Sequence, residues 1–197
     1  MKFLSISVAV LMASCCARGQ GAFQYDQQSA TNEPAPASFA VEIQSNQPFG
    51  QSFVPSLSSV GFVRLYVEDS TFTGGSGAAI YLNLLANSIT GPVLSASSVV
   101  TLPGNFLGYT NFIFSTPVSV IPGTTYYFQP VVSSVDHWRT GVVPGFNYVN
   151  GSAFFTGVAQ AGSDLWFREG IIVPEPSAGL LVLLGIAGTC ARRRRVQ

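Results

Sequence analysis

Alternating apolar and polar residues run through the middle of the chain and predict strands. From Gly61 to Glu68, the aliphatics Val63, Leu65 and Val67 alternate with Phe62, Arg64, Tyr66 and Glu68. Successive side chains on a strand point to opposite faces, so three aliphatics share one side and two charged residues the other. Ile80, Leu82 and Leu84 repeat the pattern, and Phe112 and Phe114 alternate with Asn111 and Ile113. Further strands are expected at Phe39 to Gln44, Phe49 to Val54, Val93 to Leu102, Thr125 to Val132, Ala153 to Thr156 and Leu165 to Ile172. Turn signals separate them: Gly74-Gly75-Ser76-Gly77, Gly91-Pro92, Pro103-Gly104, Pro122-Gly123 and Asn150-Gly151. Asn150-Gly151 predicts a type I′ hairpin, because both residues accept positive φ. No stretch in this region sustains a helical period. About eight to ten short strands predict an all-β domain over residues 23–173, an antiparallel two-sheet sandwich of jelly-roll-like topology.

The two ends break this pattern. Lys2 followed by the apolar run Phe3 to Ala13 predicts a cleavable signal helix within residues 1–22, with cleavage between Ala17 and Ala22. Met12-Ala13-Ser14-Cys15 gives a second reading as a lipidation signal, although Met12 departs from the usual leucine. At the other end Pro174-Glu175-Pro176 precedes an apolar stretch from Ala178 to Ala191 and the run Arg192, Arg193, Arg194 and Arg195. Two prolines keep Glu175 in extended backbone, open to an enzyme. A helix over the following stretch is about 21 Å long at 1.5 Å per residue, short of a bilayer core of about 30 Å. The arginines are expected to stay cytoplasmic, leaving a precursor pinned at both ends.

Composition changes the picture of the middle. Charged residues are 9% of the chain against 47% hydrophobic, which suits an exported β-rich protein. The formal net charge of zero hides an acidic domain: between the ends stand Arg64, Arg139 and Arg168 against eight carboxylates, a net of −5. Such a domain has no basic footprint for nucleic acid. Cys15, Cys16 and Cys190 all lie in the ends, so the domain forms no disulfide.

The order Pro-Glu-Pro, short transmembrane helix and basic cluster at the C-terminus resembles the PEP-CTERM sorting signal, over residues 174–197. The resemblance implies cutting near Pro174, Glu175 and Pro176 by an exosortase, with Arg192 to Arg195 as the basic end. It also implies a transient membrane association and a Gram-negative host that makes extracellular polysaccharide.

Chemical motifs in the domain are sparse. The single histidine lies in Asp136-His137-Trp138-Arg139, where strand alternation sends His137 and Asp136 to opposite sides. There is no Gly-x-Ser-x-Gly elbow, no thiol nucleophile and no ligand spacing for zinc or an EF-hand, so neither catalysis, metal nor cofactor is expected. Trp138, Tyr148 and Trp166 are the candidate sugar-stacking residues, together with Phe146. Two readings follow: a cell-surface or matrix protein with a structural role, and a carbohydrate-binding module for exopolysaccharide. Exposed tryptophans favour the second and buried ones the first.

Overall fold

A computed structural model gives the structure of the protein. It describes residues 21–33, 40–71, 75–144 and 148–174. The signal and tail helices predicted above, Phe146, and the sorting residues beyond Pro174 lie outside the described residues. The chain divides into two units, one of residues 24–171 and one of residues 1–23 and 172–197.

Among the described residues the secondary structure is fourteen strands and no helix. They are β1 (Ala22–Gln28), β2 (Ala40–Glu42), β3 (Gly50–Phe53), β4 (Ser59–Asp69), β5 (Ala78–Ala86), β6 (Val93–Ala96), β7 (Val100–Leu102), β8 (Leu107–Ser119), β9 (Tyr126–Ser133), β10 (Trp138–Pro144), β11 (Ala153–Phe155), β12 (Val158–Gln160), β13 (Ser163–Leu165) and β14 (Phe167–Val173). The first sheet runs β1-β14-β4-β10-β13, with β2 also on β10 and β8 on β4; the second runs β12-β11-β3-β9-β5-β6, with β7 also on β5. Strand β4 is the spine of the first sheet. It pairs antiparallel with β8 from Ser59 to Glu68, with β14 at Phe62 to Leu65 and with β10 at Val67 to Asp69.

The inward sides of the two sheets make one core. Val63, Leu65, Val67, Phe112, Phe114 and Phe167 of the first sheet pack with Phe53, Ile80, Leu82, Leu84 and Phe128 of the second, all buried. The alternation in the sequence therefore placed the aliphatics of β4 and β5 on the correct side. The other side of β4 is less simple than alternation suggests. Phe62, Tyr66 and Glu68 point away from the core yet are buried: Phe62 meets the Tyr25 ring edge-on (5.7 Å), Tyr66 joins a second cluster with Ala30, Trp166 and Tyr109, and its hydroxyl donates to Glu68 (2.8 Å).

Three expected elements differ in detail. The run Val93 to Leu102 is interrupted at Ser97, whose hydroxyl accepts the Leu82 N–H (2.9 Å). The run Leu165 to Ile172 breaks at Trp166, whose N–H turns aside to the Gly141 carbonyl (2.8 Å). The hairpin expected at Asn150-Gly151 turns instead at Thr156-Gly157, between Phe155 and Val158. There φ is 51° at Thr156 and 79° at Gly157, the positive pair that a type I′ turn requires. Asn150-Gly151 closes a turn of its own, with the Gly151 N–H on the Tyr148 carbonyl. Turn chemistry was legible there; which glycine joined two strands was decided by pairing with β3.

Candidate functional site

The three aromatic residues singled out from the sequence are all inside. Trp138 is 0% exposed, Trp166 1% and Tyr148 8%. Trp138 faces the main core, as alternation on β10 dictates once His137 and Arg139 face outward. Tyr148 sets its ring edge-on to Phe167 (5.2 Å), accepts the Val54 N–H (3.0 Å) and donates to Gln27 Oε1 (3.1 Å). Burial pushes its hydroxyl up to about 12. Trp166 lies on the outer side of the first sheet, 4.2 Å from Tyr109, and its Nε1–H donates to the Asn32 carbonyl (3.1 Å). None of these rings offers an open face to a sugar, which corrects the expectation that Trp138, Tyr148 and Trp166 form the stacking surface. The sequence displayed large aromatics but not the strap of residues 29–33 that lies over Trp166.

The charged groups of the first sheet satisfy one another. The Arg168 guanidinium lies 5.1 Å from the Tyr25 ring centre and 5.0 Å from that of Trp166. Arg64 forms a two-pronged pair with Glu33 (2.8 and 3.0 Å) and also donates to Asn111. The Arg64 hydrogen bond holds the Glu33 carboxyl below its usual range. His137 pairs with Glu42, while Asp136 accepts the Ser76 N–H. Arg139 lies 3.9 Å from Glu68, so Asp136, His137 and Arg139 engage separate partners.

A carboxyl pair lies where β1 meets β14. Asp26 accepts the N–H groups of Ser56 (2.7 Å) and Leu57 (2.9 Å) and the Ser56 hydroxyl. Burial opposes its ionisation, but these hydrogen bonds outweigh burial and bring its carboxyl below the ordinary value. Glu169 is fully buried and takes the Gln27 N–H on Oε1 (3.1 Å). Burial first, and the Asp26 charge second, push its carboxyl up to about 9. Ionised, Glu169 Oε2 has no donor among the described residues; protonated, it donates to Asp26. A buried neutral acid beside a charged one is the lower-energy arrangement.

The second sheet presents a different outer face. Inward-pointing Ile80, Leu82 and Leu84 on β5 send Tyr81 and Asn83 outward, and inward Tyr126 and Phe128 on β9 do the same for Tyr127 and Gln129. Asn83 pairs with Gln129 across β5 and β9, and Tyr81 with Val131. On β11, Phe154 pairs with Gly50 of β3, and its ring reaches the Tyr127 ring at 5.5 Å, edge to face. Gly50 lets β3 lie close to β9: an added Cβ would meet the Phe128 carbonyl at 2.1 Å and Ile89 Cδ1 at 2.8 Å. Gln129 Nε2 donates to Gln47 Oε1 (2.9 Å). Among the described residues, the Tyr81 and Tyr127 hydroxyls and the Asn83 carboxamide have no protein partner. Sequence reasoning missed these residues, although the alternation that buried Ile80, Leu82 and Leu84 had already placed Tyr81 and Asn83 together on the far side.

Strands β1 and β14, the first and last of the chain, are neighbours in one sheet. In the unit formed by the ends, Gly21 lies against Ile172 and the Val173 carbonyl, each 2.6 Å from where its Cβ would fall. Val173 and Pro174 are exposed. The fold and its ends thus define a class: an all-β domain that hands its chain to a C-terminal sorting segment. Residues 173–195 match the PEP-CTERM protein-sorting motif, and the chain carries the signal of an exosortase substrate. That motif implies processing by an exosortase and a secreted precursor that transits the membrane. No curated protein matches the chain.

Proposed function

We propose that the protein is exported by an N-terminal signal peptide, anchored transiently by a short C-terminal transmembrane helix, and released by an exosortase to a structural role without catalysis at the cell surface or in the extracellular matrix. The observation that carries this reading is the sorting motif at residues 173–195, beginning where the last strand ends. Burial of both tryptophans supports a structural role, since large aromatics spent on the core are spent on stability. The strand orders β1-β14-β4-β8 and β3-β9-β5-β6 support the jelly-roll reading, because strands β3, β4 and β5 alternate between the sheets. A Gram-negative, polysaccharide-producing host fits the motif's resemblance.

The test is sorting. Changing Glu175 to Ala, or all four arginines Arg192 to Arg195 to Gln, leaves the domain's strands untouched and is expected to block C-terminal processing. Immunoblots of cell fractions then show a larger, membrane-retained species. A normal processed band from both variants overturns the exosortase reading.

A further inference from the structure

Among the described residues, every charged residue that stands in a strand stands in the first sheet: Asp26, Glu42, Arg64, Glu68, Asp69, Arg139, Asp164, Arg168 and Glu169. Strands β3, β5, β6, β7, β9, β11 and β12 of the second sheet carry none, and from Ser70 to Val135 the chain has no charged side chain at all. A sheet face without charge repels no neutral ligand and pairs with no ionic one. It is nevertheless not an apolar face, because carboxamides and phenols interrupt it.

The spacing on this face is set by the strands. Tyr81 pairs with Val131, and Tyr127 with Leu85, so the two tyrosines lie four residues apart along the β5–β9 pair. At about 3.4 Å per residue this is about 14 Å. Asn83 and Gln129 lie between them on adjacent strands, with Gln129 fixed by Gln47. At the Tyr127 end the Phe154 ring adds a second aromatic surface. Aromatic faces flanking a row of carboxamides match a chain of sugar rings, which presents C–H patches for stacking and hydroxyls that both donate and accept hydrogen bonds. The unpartnered Tyr81 and Tyr127 hydroxyls and the Asn83 carboxamide supply both kinds of group.

We propose that the outer face of the second sheet binds an uncharged polysaccharide, with Tyr81, Tyr127 and Phe154 stacking on sugar rings and Asn83 and Gln129 hydrogen-bonding to hydroxyls between them. This goes beyond the sorting reading and does not depend on it, and it uses a face distinct from Trp138, Tyr148 and Trp166. A charged polymer finds no ion pair on it. The acidic net charge of the domain, −5 from three arginines and eight carboxylates, further disfavours an anionic one.

Affinity electrophoresis of the exported, processed protein tests it, in gels containing hydroxyethylcellulose, galactomannan, dextran or, as the anionic comparison, alginate. Retardation is expected in at least one neutral gel and not in alginate. Tyr127→Ala is expected to weaken the retarded interaction about tenfold, in line with the loss of one aromatic stacking contact. Tyr127 also touches Phe154, so Asn83→Asp serves as the second variant: it keeps the side-chain shape, puts a charge on the face, and should abolish retardation with an unchanged melting temperature. Migration unretarded in every neutral gel overturns the proposal. So does retardation that Asn83→Asp leaves unchanged, or a self-association in polysaccharide-free buffer that the same variants abolish, which would assign the face to a second copy of the chain. Each of these outcomes is read on processed protein, so none is confused with a failure of sorting.

Discussion

The outer faces of the two sheets carry different chemistry on the same architecture. On the first sheet, Arg64, Arg168, Tyr25, Tyr109 and Trp166 engage one another and Glu33 of the strap of residues 29–33. On the second, Tyr81, Asn83 and Tyr127 keep polar groups without protein partners among the described residues. The difference teaches that aromatic content alone does not mark a binding face. Trp166 lies on an outer face and is still 1% exposed, because neighbouring charges and a strap cover it. The informative feature is which polar groups remain unused.

The comparison breaks first if the buried aromatics can be removed cheaply. Trp138→Ala is expected to destabilise the domain by about 3–5 kcal/mol, the range for deleting a large buried aromatic. Trp166→Ala should follow it closely, because Tyr109 and Arg168 lose their packing partner with it. Thermal melts check both. A melting temperature unchanged in either variant would place that ring at the surface and undo the contrast between the sheets.

A pH series sharpens the account at the β1–β14 junction. The Glu169 carboxyl is held up to about 9 when folded, against an ordinary value of 4.5. Between those pH values the folded chain keeps a proton that the unfolded chain releases, so stability falls as pH rises through this window. At about 1.4 kcal/mol per pH unit, the loss reaches about 3 kcal/mol by pH 7. Glu169→Gln imitates the protonated side chain, and denaturant titrations should show it more stable at pH 7 by about that amount, with a flatter profile from pH 5 to 9. A variant with the same slope as the parent would mean that Glu169 is ionised in the fold.

The smallest effect is expected where the first sheet meets solvent. Glu33 is partly exposed while pairing with Arg64 and lying 3.6 Å from Arg168, and exposed pairs contribute little. Glu33→Gln should cost about 0.5–1 kcal/mol and lose that cost in high salt. A cost above that range, insensitive to salt, would make the strap a part of the core rather than its cover.

How much of this was legible in the sequence depends on the side of the strand. Inward positions were read correctly on β4, β5 and β8, because one aliphatic at every second residue leaves little choice of face. Outward positions were read less well. Tyr66 and Glu68 stood on the side that carries the charges, yet both are buried: Tyr66 packs with Trp166 and Ala30 from segments remote in sequence and donates to Glu68, and no local period encodes such cover. Trp138 illustrates the same limit: alternation fixed its neighbours relative to it, but not which side faced the core. The second sheet's outer face was implicit in the alternation of β5. Its neutrality was visible as the uncharged run from Ser70 to Val135, but only the pairing of β5 with β9 brings Asn83 beside Gln129. The tail was legible without any fold, because a linear signal read by an enzyme depends on order rather than on packing.

The central claim is that this domain is made as a doubly tethered precursor and delivered without its tethers. Intact-mass measurement of the protein recovered from the producing cells tests it most directly. The account predicts a chain that begins between residues 17 and 23 and ends near Pro174 to Pro176, lacking Cys15, Cys16, Cys190 and the four arginines. A mature species whose mass still includes Ala178 to Gln197 would contradict it.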